Sequence, residues 1–414
     1  MHRASAFPCS RAGRTAAAAI AIVLSALGVL YQGKGHYYLN FGTDRADAVD
    51  LHQKWAEHHY FLVGINPYDA WLQHGPMRET ETARRTIAAR GMVPNLGVPD
   101  PASPPWAYLP GVLWFWPPWP SVRTYYSVLN LFAMALVSAW AFAQLKRFGT
   151  VYGWLGASAA LALGGATTAL EVGQYTLVIL GLLAGALWAL ERDRPYLSGV
   201  LLAAALAKPT IAAPFVLILV VRAEWRALFA LGAFALASSA ATYAIVHTSP
   251  VEMLYQLSLV GQYLATEGGL SLTRELTRLG VDRRLSTILP AGVIGTALLG
   301  ALWWCRSQPQ LLLAGLAAVA GRLWAYHRGY DDPMLVFALI ALLVATLEKP
   351  IIPLGLATLA MFGTLAAPPR FATIPAFELL QLVVWLGSAV TLVMATRVPV
   401  ASTAGVGSRI PPAA

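Results

Sequence analysis

The chain has 414 residues, a length that in a soluble protein would correspond to about two or three domains. Hydrophobic residues make up 57% of it and charged residues 12%, against roughly 45–50% and about 25% in soluble domains. So little charge cannot cover a soluble particle of this size, and several nearly uncharged apolar runs are long enough to span a bilayer. The composition therefore predicts a multi-span helical membrane protein and excludes a soluble enzyme, a disordered scaffold and a disulfide-stapled secreted domain.

The net charge of +9 does not indicate nucleic acid as a partner. Many lysines and arginines occur singly at the ends of apolar runs, where they anchor and orient helices in the lipid bilayer. At the N-terminus, three arginines precede an apolar run from Thr15 to Tyr31. We interpret this run as an uncleaved first helix with the N-terminus inside, and a secretory signal peptide is the alternative.

Further apolar runs predict the remaining spans, near 122–145, 151–169, 173–190, 226–247, 287–304, 309–325, 333–347, 350–366 and 376–396. Lys208-Pro209 interrupts the segment 196–221 and predicts two shorter helices that meet at a break. The proline-rich run 105–120 predicts a re-entrant or interfacial segment. The sequence therefore predicts an all-α polytopic bundle of about 10–12 transmembrane helices. It forms one domain over residues 1–400, with a flexible cytoplasmic tail at 401–414.

The lysines and arginines of the short loops predict the orientation, with both chain termini inside. The two long polar segments, 32–104 and 248–286, then face outside. The predicted turns at Thr167–Gln174 and Tyr326–Asp332 face the same side, and the break at Lys208 approaches it. Several polar clusters therefore converge on one membrane face, which favours a single outward-facing site.

The first outside loop contains a predicted interfacial helix from Asp44 to Val63. Its apolar face carries Leu51, Trp55 and Leu62. Its charged face carries Asp50, Lys54 and Glu57. One interpretation is a helix on the membrane surface with a solvated charged face and an ordinary exposed Asp50–Lys54 pair. The other is that one of these carboxylates takes part in a site.

Three further polar features lie at the same predicted face. The segment from Arg322 to Pro333 brings cations, carboxylates and a histidine together between two spans, although Asp331-Asp332 could instead cap the next helix. Glu171 and Gln174 lie at an outside turn, where a glutamate could be merely solvated. Lys208 would need an anionic partner such as a phosphate if it is buried.

The sequence contains no Walker loop, no HExxH, no CxxC and no glycine-rich loop placed to bind nucleotide phosphates. An ATP-driven pump and a zinc protease are therefore excluded, and we expect no cofactor and no metal.

Three stretches of the chain resemble glycosyltransferase family 87, a family of multi-span GT-C glycosyltransferases of the polyprenol-phosphate-mannose-dependent mannosyltransferase type. The first runs from Asp50 to the sequence Gly-x-Asn-Pro-Tyr-Asp at 64–69. The second starts at Gly173-Gln174, passes Lys208-Pro209 and ends in the sequence Arg-Ala-Glu-Trp-Arg at 222–226. The third is Tyr326-His327 followed by Tyr330-Asp331. The resemblance extends over roughly residues 15–350.

The resemblance implies a GT-C-like fold and a carboxylate of the first outside loop as catalytic base. That role falls on Asp50, with Asp44 and Asp47 as alternatives. The candidates for binding the donor phosphate are His327, Arg328 and Lys208. The candidates for binding the sugar or the acceptor are Gln174, Glu171, Tyr68, Tyr330 and Asp331.

The resemblance also implies the partners and the location. The donor would be a polyprenyl-phosphate-linked sugar, most simply mannose, and the acceptor a glycolipid or a polysaccharide. We expect a monomer in the lipid bilayer of a bacterial inner membrane, with its site facing the periplasm. The competing interpretations are a secondary transporter or flippase, whose polar site would lie at the bilayer midplane, and a structural subunit of an envelope complex.

Overall fold

The computed structural model describes residues 11–42, 48–74, 101–119, 121–264, 272–325 and 327–397. Within these ranges the chain is helical and contains no strand. The described α-helices, numbered α1 to α18, are Arg11–Phe41, Val49–Leu62, Pro67–His74, Tyr108–Phe115, Ser121–Lys146, Thr150–Leu161, Gly164–Val172, Thr176–Glu191, Pro195–Ala205, Pro209–Val221, Trp225–Val246, Pro250–Leu264, Leu272–Arg278, Arg283–Trp304, Gln310–Leu323, Val336–Glu348, Ile352–Ala366 and Pro375–Ala395. Three 3₁₀ helices are Pro105–Ala107, Gly329–Leu335 and Pro369–Thr373.

Six of the described helical segments are long and apolar enough to cross a bilayer: α1, α5, α11, α14, α18 and the continuous stretch Gly329–Glu348 that includes α16. Helices α6 and α7 together reach this length but are bent by 45°. Five shorter apolar helices, α8, α9, α10, α15 and α17, complete the bundle. The protein is thus an all-α polytopic membrane protein, as predicted. The count of ten to twelve crossings includes the shorter helices and stays a prediction, as does the division into one domain and a tail.

The stretch Gly329–Glu348 forms the centre of the bundle. In its most apolar window 72% of the residues are buried, against 22–39% in the other five long spans. Phe337 packs edge-to-face between Trp140 of α5 and Phe215 of α10, with ring centroids 5.1 and 5.2 Å away. Such pairs favour this geometry and join three helices at one point.

Helix α1 continues ten residues beyond the predicted end of the first span, so residues 32–41 are helical and not part of a loop. The reason lies in a neighbouring helix. The Arg123 guanidinium of α5 donates to the carbonyl oxygens of Leu39, Tyr38 and Gly42 at 2.5, 3.2 and 3.1 Å. The Leu39 and Gly42 carbonyls lie at the end of the helix, and the Tyr38 carbonyl also accepts from the Gly42 N–H at 2.9 Å. A cation at this end of a helix is favourable.

The predicted turn at Thr167–Gln174 is mostly helical, because α7 extends to Val172. It ends at Gly173, whose φ of 73° is a left-handed conformation that favours glycine. The predicted break at Lys208-Pro209 is confirmed: α9 ends at Ala205 and α10 begins at Pro209. Proline is tolerated there because the first helical N–H has no intrahelical partner.

The two segments predicted to face outside, 32–104 and 248–286, contact each other through side-chain hydrogen bonds. Segment 248–286 contains α12, α13 and the start of α14. Gln256 of α12 accepts from the Asn66 side chain at 2.9 Å and donates to Asp69 at 2.9 Å. This chain of side-chain amides holds α12 against the start of α3, on the side of the bundle where α2 lies.

Candidate active site

The position of Asp50 is set by the contact between the start of α2 and the end of α7. The backbone N–H of Ala48 donates to the carbonyl oxygen of Glu171 at 2.7 Å. Leu51 lies directly against Gly173, where any side chain at residue 173 would overlap it. Gln174, the next residue, donates its side-chain N–H to the Asp50 carboxylate at 2.8 Å. A glycine-ended helix thus docks on α2 and orients the carboxylate.

The Asp50 carboxylate is partly exposed and lies in a field of cations. Burial raises its pKa above the ordinary value, and Lys208, Arg328 and Lys54 act in the opposite direction without cancelling the effect. A carboxylate with a raised pKa is a stronger base than an exposed aspartate. The group therefore has both the access and the basicity needed to accept a proton.

A second, buried cluster surrounds Asp331. Its Oδ1 accepts from Lys208 Nζ at 2.5 Å and from the Thr176 hydroxyl at 2.6 Å, and Lys208 also donates to Thr176 at 2.9 Å. Its Oδ2 lies 2.9 Å from His327 Nδ1. All four residues are less than a tenth exposed. The buried lysine therefore has its anionic partner within the protein, and Asp331 joins the starts of α8 and α10 to the segment before α16.

His327 is fully buried, and burial lowers its pKa below the ordinary value. A neutral imidazole carries one N–H, and a carboxylate can only accept, so this network assigns the proton to Nδ1. Nε2 is then an acceptor, with no hydrogen-bond partner among the described residues. His327 is therefore a neutral hydrogen-bonding group rather than a cation.

The neighbouring carboxylate, Asp332, accepts from Arg322 Nε at 2.6 Å. The Arg322 guanidinium lies 5.0 Å from the centroid of the Trp385 ring in α18. Neither Asp331 nor Asp332 caps α16, whose N-cap residue makes no side-chain hydrogen bond. The interpretation of this pair as a helix cap was therefore wrong, because both carboxylates are paired with buried cations.

A cavity of about 430 Å³ lies beside this second cluster. The residues on its cluster side are Arg322, Arg328, Gly329, Tyr330 and Asp332. The rest of its wall comes from α7, α13, α15, α17, α18 and segment 367–369; it is largely apolar but also carries the carboxylates of Glu275 and Glu378. Asp50 does not line this cavity, although the Arg328 charge acts on Asp50 and Arg328 also faces the cavity. Arg328 therefore links Asp50 to a cavity whose wall is largely apolar and carries both arginine and carboxylate side chains.

A model of glycosyltransferase family 87 matches residues 103–350, which is more than half of the chain. The chain belongs to glycosyltransferase family 87. A comparison with curated proteins found no match. The family 87 match contains Gln174, Lys208 and the whole Asp331 cluster, whereas Asp50 precedes it. As a family member the protein is a membrane glycosyltransferase, and the predicted resemblance is confirmed.

In this glycosyltransferase two of the three residues on the charged face of α2, Lys54 and Glu57, are not solvated. Lys54 pairs with Glu57 at 2.6 Å, not with Asp50, and both side chains are buried. The interpretation as an exposed Asp50–Lys54 pair was therefore wrong, because segment 103–108 covers this face. On the predicted apolar face, Leu51 and Trp55 are buried, whereas Leu62 is 46% exposed.

The other predicted site residues divide into three groups. Gln174 and Tyr330 lie at the two clusters, with the Tyr330 ring centroid 5.1 Å from Lys208 Nζ. Glu171 contributes its backbone carbonyl to α2, and Tyr68 is fully buried with its hydroxyl on the Ser103 carbonyl at 2.6 Å. Asp44, Asp47 and Tyr326 lie outside the described residues.

Four residues of this glycosyltransferase make contacts at the clusters that the sequence did not predict. They are Thr176, Tyr175, Glu57 and Arg322 in its role as the partner of Asp332. Thr176 and Tyr175 directly follow Gln174 and start α8, so their proximity to Gln174 was the available signal. Glu57 lies seven residues after Asp50 on the same helix face, and that spacing was its signal.

Proposed function

We propose that this enzyme transfers a sugar, most simply mannose, from a polyprenyl-phosphate-linked donor to a glycolipid or polysaccharide acceptor. It would act as a monomer in a bacterial inner membrane, with the site facing the periplasm. The observation that carries the proposal is the Asp50 carboxylate, partly exposed, oriented by Gln174 and placed in the field of Lys208 and Arg328. The family supports sugar transfer as the reaction.

The proposed chemistry is a single displacement. Asp50 takes the proton of an acceptor hydroxyl as its oxygen attacks the anomeric carbon. The bond from that carbon to the donor phosphate oxygen breaks, the electron pair leaves with the lipid phosphate, and the anomeric configuration inverts. General base catalysis typically contributes about 10²–10⁴-fold, and stabilisation of the leaving phosphate adds to it. In this proposal the Arg328 guanidinium, not a metal ion, faces the phosphate.

Arg328 is the best candidate for binding the donor phosphate. It lines the cavity of about 430 Å³, whose apolar wall suits a prenyl chain, and its charge reaches Asp50. Lys208 and His327 are buried against Asp331. We therefore propose that they act on the donor through Asp331 and Tyr330, which they position, rather than as free cations.

The test is sugar transfer by the purified protein in lipid, with radiolabelled polyprenyl-phosphate mannose as donor, a membrane extract as acceptor and EDTA present. We expect label to appear in the product whether or not EDTA is present. Transfer from a nucleotide sugar and not from any polyprenyl-phosphate sugar would contradict the donor class. Complete loss of transfer on adding EDTA would contradict the metal-independent step.

Replacing Arg328 by alanine should raise the KM for the donor about 10–100-fold, since a hydrogen bond to a charged group contributes about 1.5–3 kcal/mol. The KM for the acceptor should change little. Steady-state kinetics with each substrate varied in turn measures both constants. Arg306→Ala, which removes an exposed arginine at the end of α14, is the matched control. An unchanged donor KM in Arg328→Ala would remove this residue from the phosphate site.

A further inference from the structure

Helix α2 carries a second carboxylate, Glu57, which the transfer step does not use. Its side chain is fully buried. Oε2 pairs with Lys54 Nζ at 2.6 Å, and Oε1 accepts from the Ser103 backbone N–H at 3.1 Å and the Tyr108 hydroxyl at 2.9 Å. Both oxygens are thus occupied and shielded from any acceptor, so Glu57 is not a second base.

The cation held by Glu57 leads back to Asp50. Lys54 Nζ lies 5.5 Å from the centroid of the Tyr175 ring, and Lys208 Nζ lies 5.3 Å from the same centroid. The Tyr175 backbone N–H donates at 3.2 Å to the Gln174 side chain, the group that orients Asp50. Two ammonium groups therefore contact one aromatic ring next to the base, and Glu57 fixes one of them.

We infer that Glu57 is a positioning residue for sugar transfer. It fixes the Lys54 ammonium beside Asp50 and ties segment 103–108 to α2. Lys54 also donates to the Ser103 hydroxyl at 3.2 Å, so the same ion pair contacts both sides of this junction. The inference rests on the proposed role of Asp50 as base.

Several groups face Asp50 from the elements around it. They are Lys54 on its own helix, Gln174, Lys208, Arg328 and the phenols Tyr126 and Tyr175. Among the cations, Lys208 is held by Asp331, which belongs to a different cluster. Lys54 is held by Glu57, so this pair can be changed without touching Asp331. Lys54 is thus the cation of α2 that acts on Asp50, and Glu57 is the carboxylate that holds it.

Glu57 itself is faced by Lys54, His58, Tyr68, Tyr108 and Tyr175. Burial alone would raise its pKa, but Lys54, His58 and the hydrogen bonds outweigh burial and hold the pKa below its ordinary value. Burial lowers the pKa of His58 to about 4. Around neutral pH Glu57 is therefore anionic and His58 neutral, and Lys54 is the ion-pair partner of Glu57.

Replacing Glu57 and replacing Lys54 should shift the pH dependence of kcat in opposite directions. The rate rises with pH as Asp50 loses its proton, so the acid limb of kcat reports its pKa. Glu57→Gln leaves the Lys54 charge unopposed, which lowers the pKa of Asp50 and moves the acid limb to lower pH. Lys54→Met removes the cation and moves the limb to higher pH. A neighbouring charge shifts a pKa by about one unit or more, and a purely structural role would give no opposed shifts.

The experiment measures kcat against pH for the lipid-reconstituted enzyme, with thermal unfolding as a check of folding. The variants are Glu57→Gln, Lys54→Met and Lys54→Arg, which keeps the charge and should keep the wild-type profile. The control is Glu348→Gln, whose ion pair with Arg147 at 2.5 Å is largely exposed and remote from Asp50. Opposed shifts of about one pH unit support the inference.

Shifts of the same sign, or unchanged profiles, would overturn it. If Glu57→Gln does not fold, Lys54→Met alone tests the inference. A shift of its acid limb to higher pH supports the role of Glu57, and the absence of that shift contradicts it. The Asp50→Asn variant distinguishes a failure of Asp50 as the base from a failure of Glu57 as a positioning residue. Wild-type rates in Asp50→Asn would contradict the proposed base, whereas an inactive Asp50→Asn with no shift in the other variants contradicts only the role of Glu57.

Discussion

Replacing Asp50 by asparagine should reduce sugar transfer about 10²–10⁴-fold, the usual contribution of a general base. Asparagine keeps an oxygen that can accept the Gln174 hydrogen bond seen at 2.8 Å, so the local structure should persist. The loss should therefore lie in kcat, with donor binding and thermal stability close to those of the wild type. Transfer rates and donor binding on the same reconstituted protein measure the two effects separately.

The chain offers a matched control in Asp69→Asn. Asp69 also accepts from a glutamine side chain, Gln256, at 2.9 Å, but it lies on α3 outside both clusters. We expect this variant to transfer sugar at a rate close to that of the wild type. Equal transfer by the wild type and Asp50→Asn would remove Asp50 from the mechanism and direct attention to Asp44, Asp47 and Asp331.

Replacing Asp331 by asparagine should have the largest effect on stability. It would leave the buried Lys208 ammonium without its carboxylate, and breaking a buried ion pair costs about 3–5 kcal/mol. We expect a strong fall in the thermal unfolding temperature in detergent or a loss of folded protein. Glu348→Gln, which breaks a largely exposed pair, should cost about 0–1 kcal/mol.

A double variant tests whether the loss comes from the uncompensated charge. Replacing Lys208 by methionine together with Asp331→Asn removes both charges and should recover much of the lost stability. Transfer should remain impaired, because Tyr330 and Arg328 would lose the group that positions their segment. An Asp331→Asn protein as stable as the wild type would show that Lys208 finds another partner, and our account of the cluster would be wrong.

The members of the site were largely predictable from the sequence, because short motifs carry them. Asp50, Gln174, Lys208 and Asp331 each stood out as polar groups beside apolar spans, and the structure brings them into two adjoining clusters. It was harder to predict from the sequence which side chains pair with each other within the clusters. A lysine with carboxylates four residues before it and three residues after it can pair with either, and only the covering segment 103–108 decides for Glu57.

The extent of the helices was hard to predict for a related reason. Polar and small residues at 32–41 and 167–172 are typical of loops and turns, yet both stretches are helical. Gly165 lies against the Gly329 carbonyl and Pro333, and Gly35 lies against Leu170, so these residues are small because helices cross closely there. Single-sequence patterns show that a residue is small or polar, but not which neighbour requires it.

The order of synthesis sets a constraint on how the Asp331 cluster assembles. Lys208 precedes Asp331 by 123 residues, and Asp50 precedes Gln174 by 124. Chains are made from the N-terminus, so the ribosome has completed α10 and five further described helices before the counter-ion of Lys208 exists. Until then an ammonium at the head of α10 must stay hydrated, because an unpaired charge is costly in lipid. A nascent chain that stops before residue 327 would hold Asp50 beside Gln174 but could not seat α10 at its final depth.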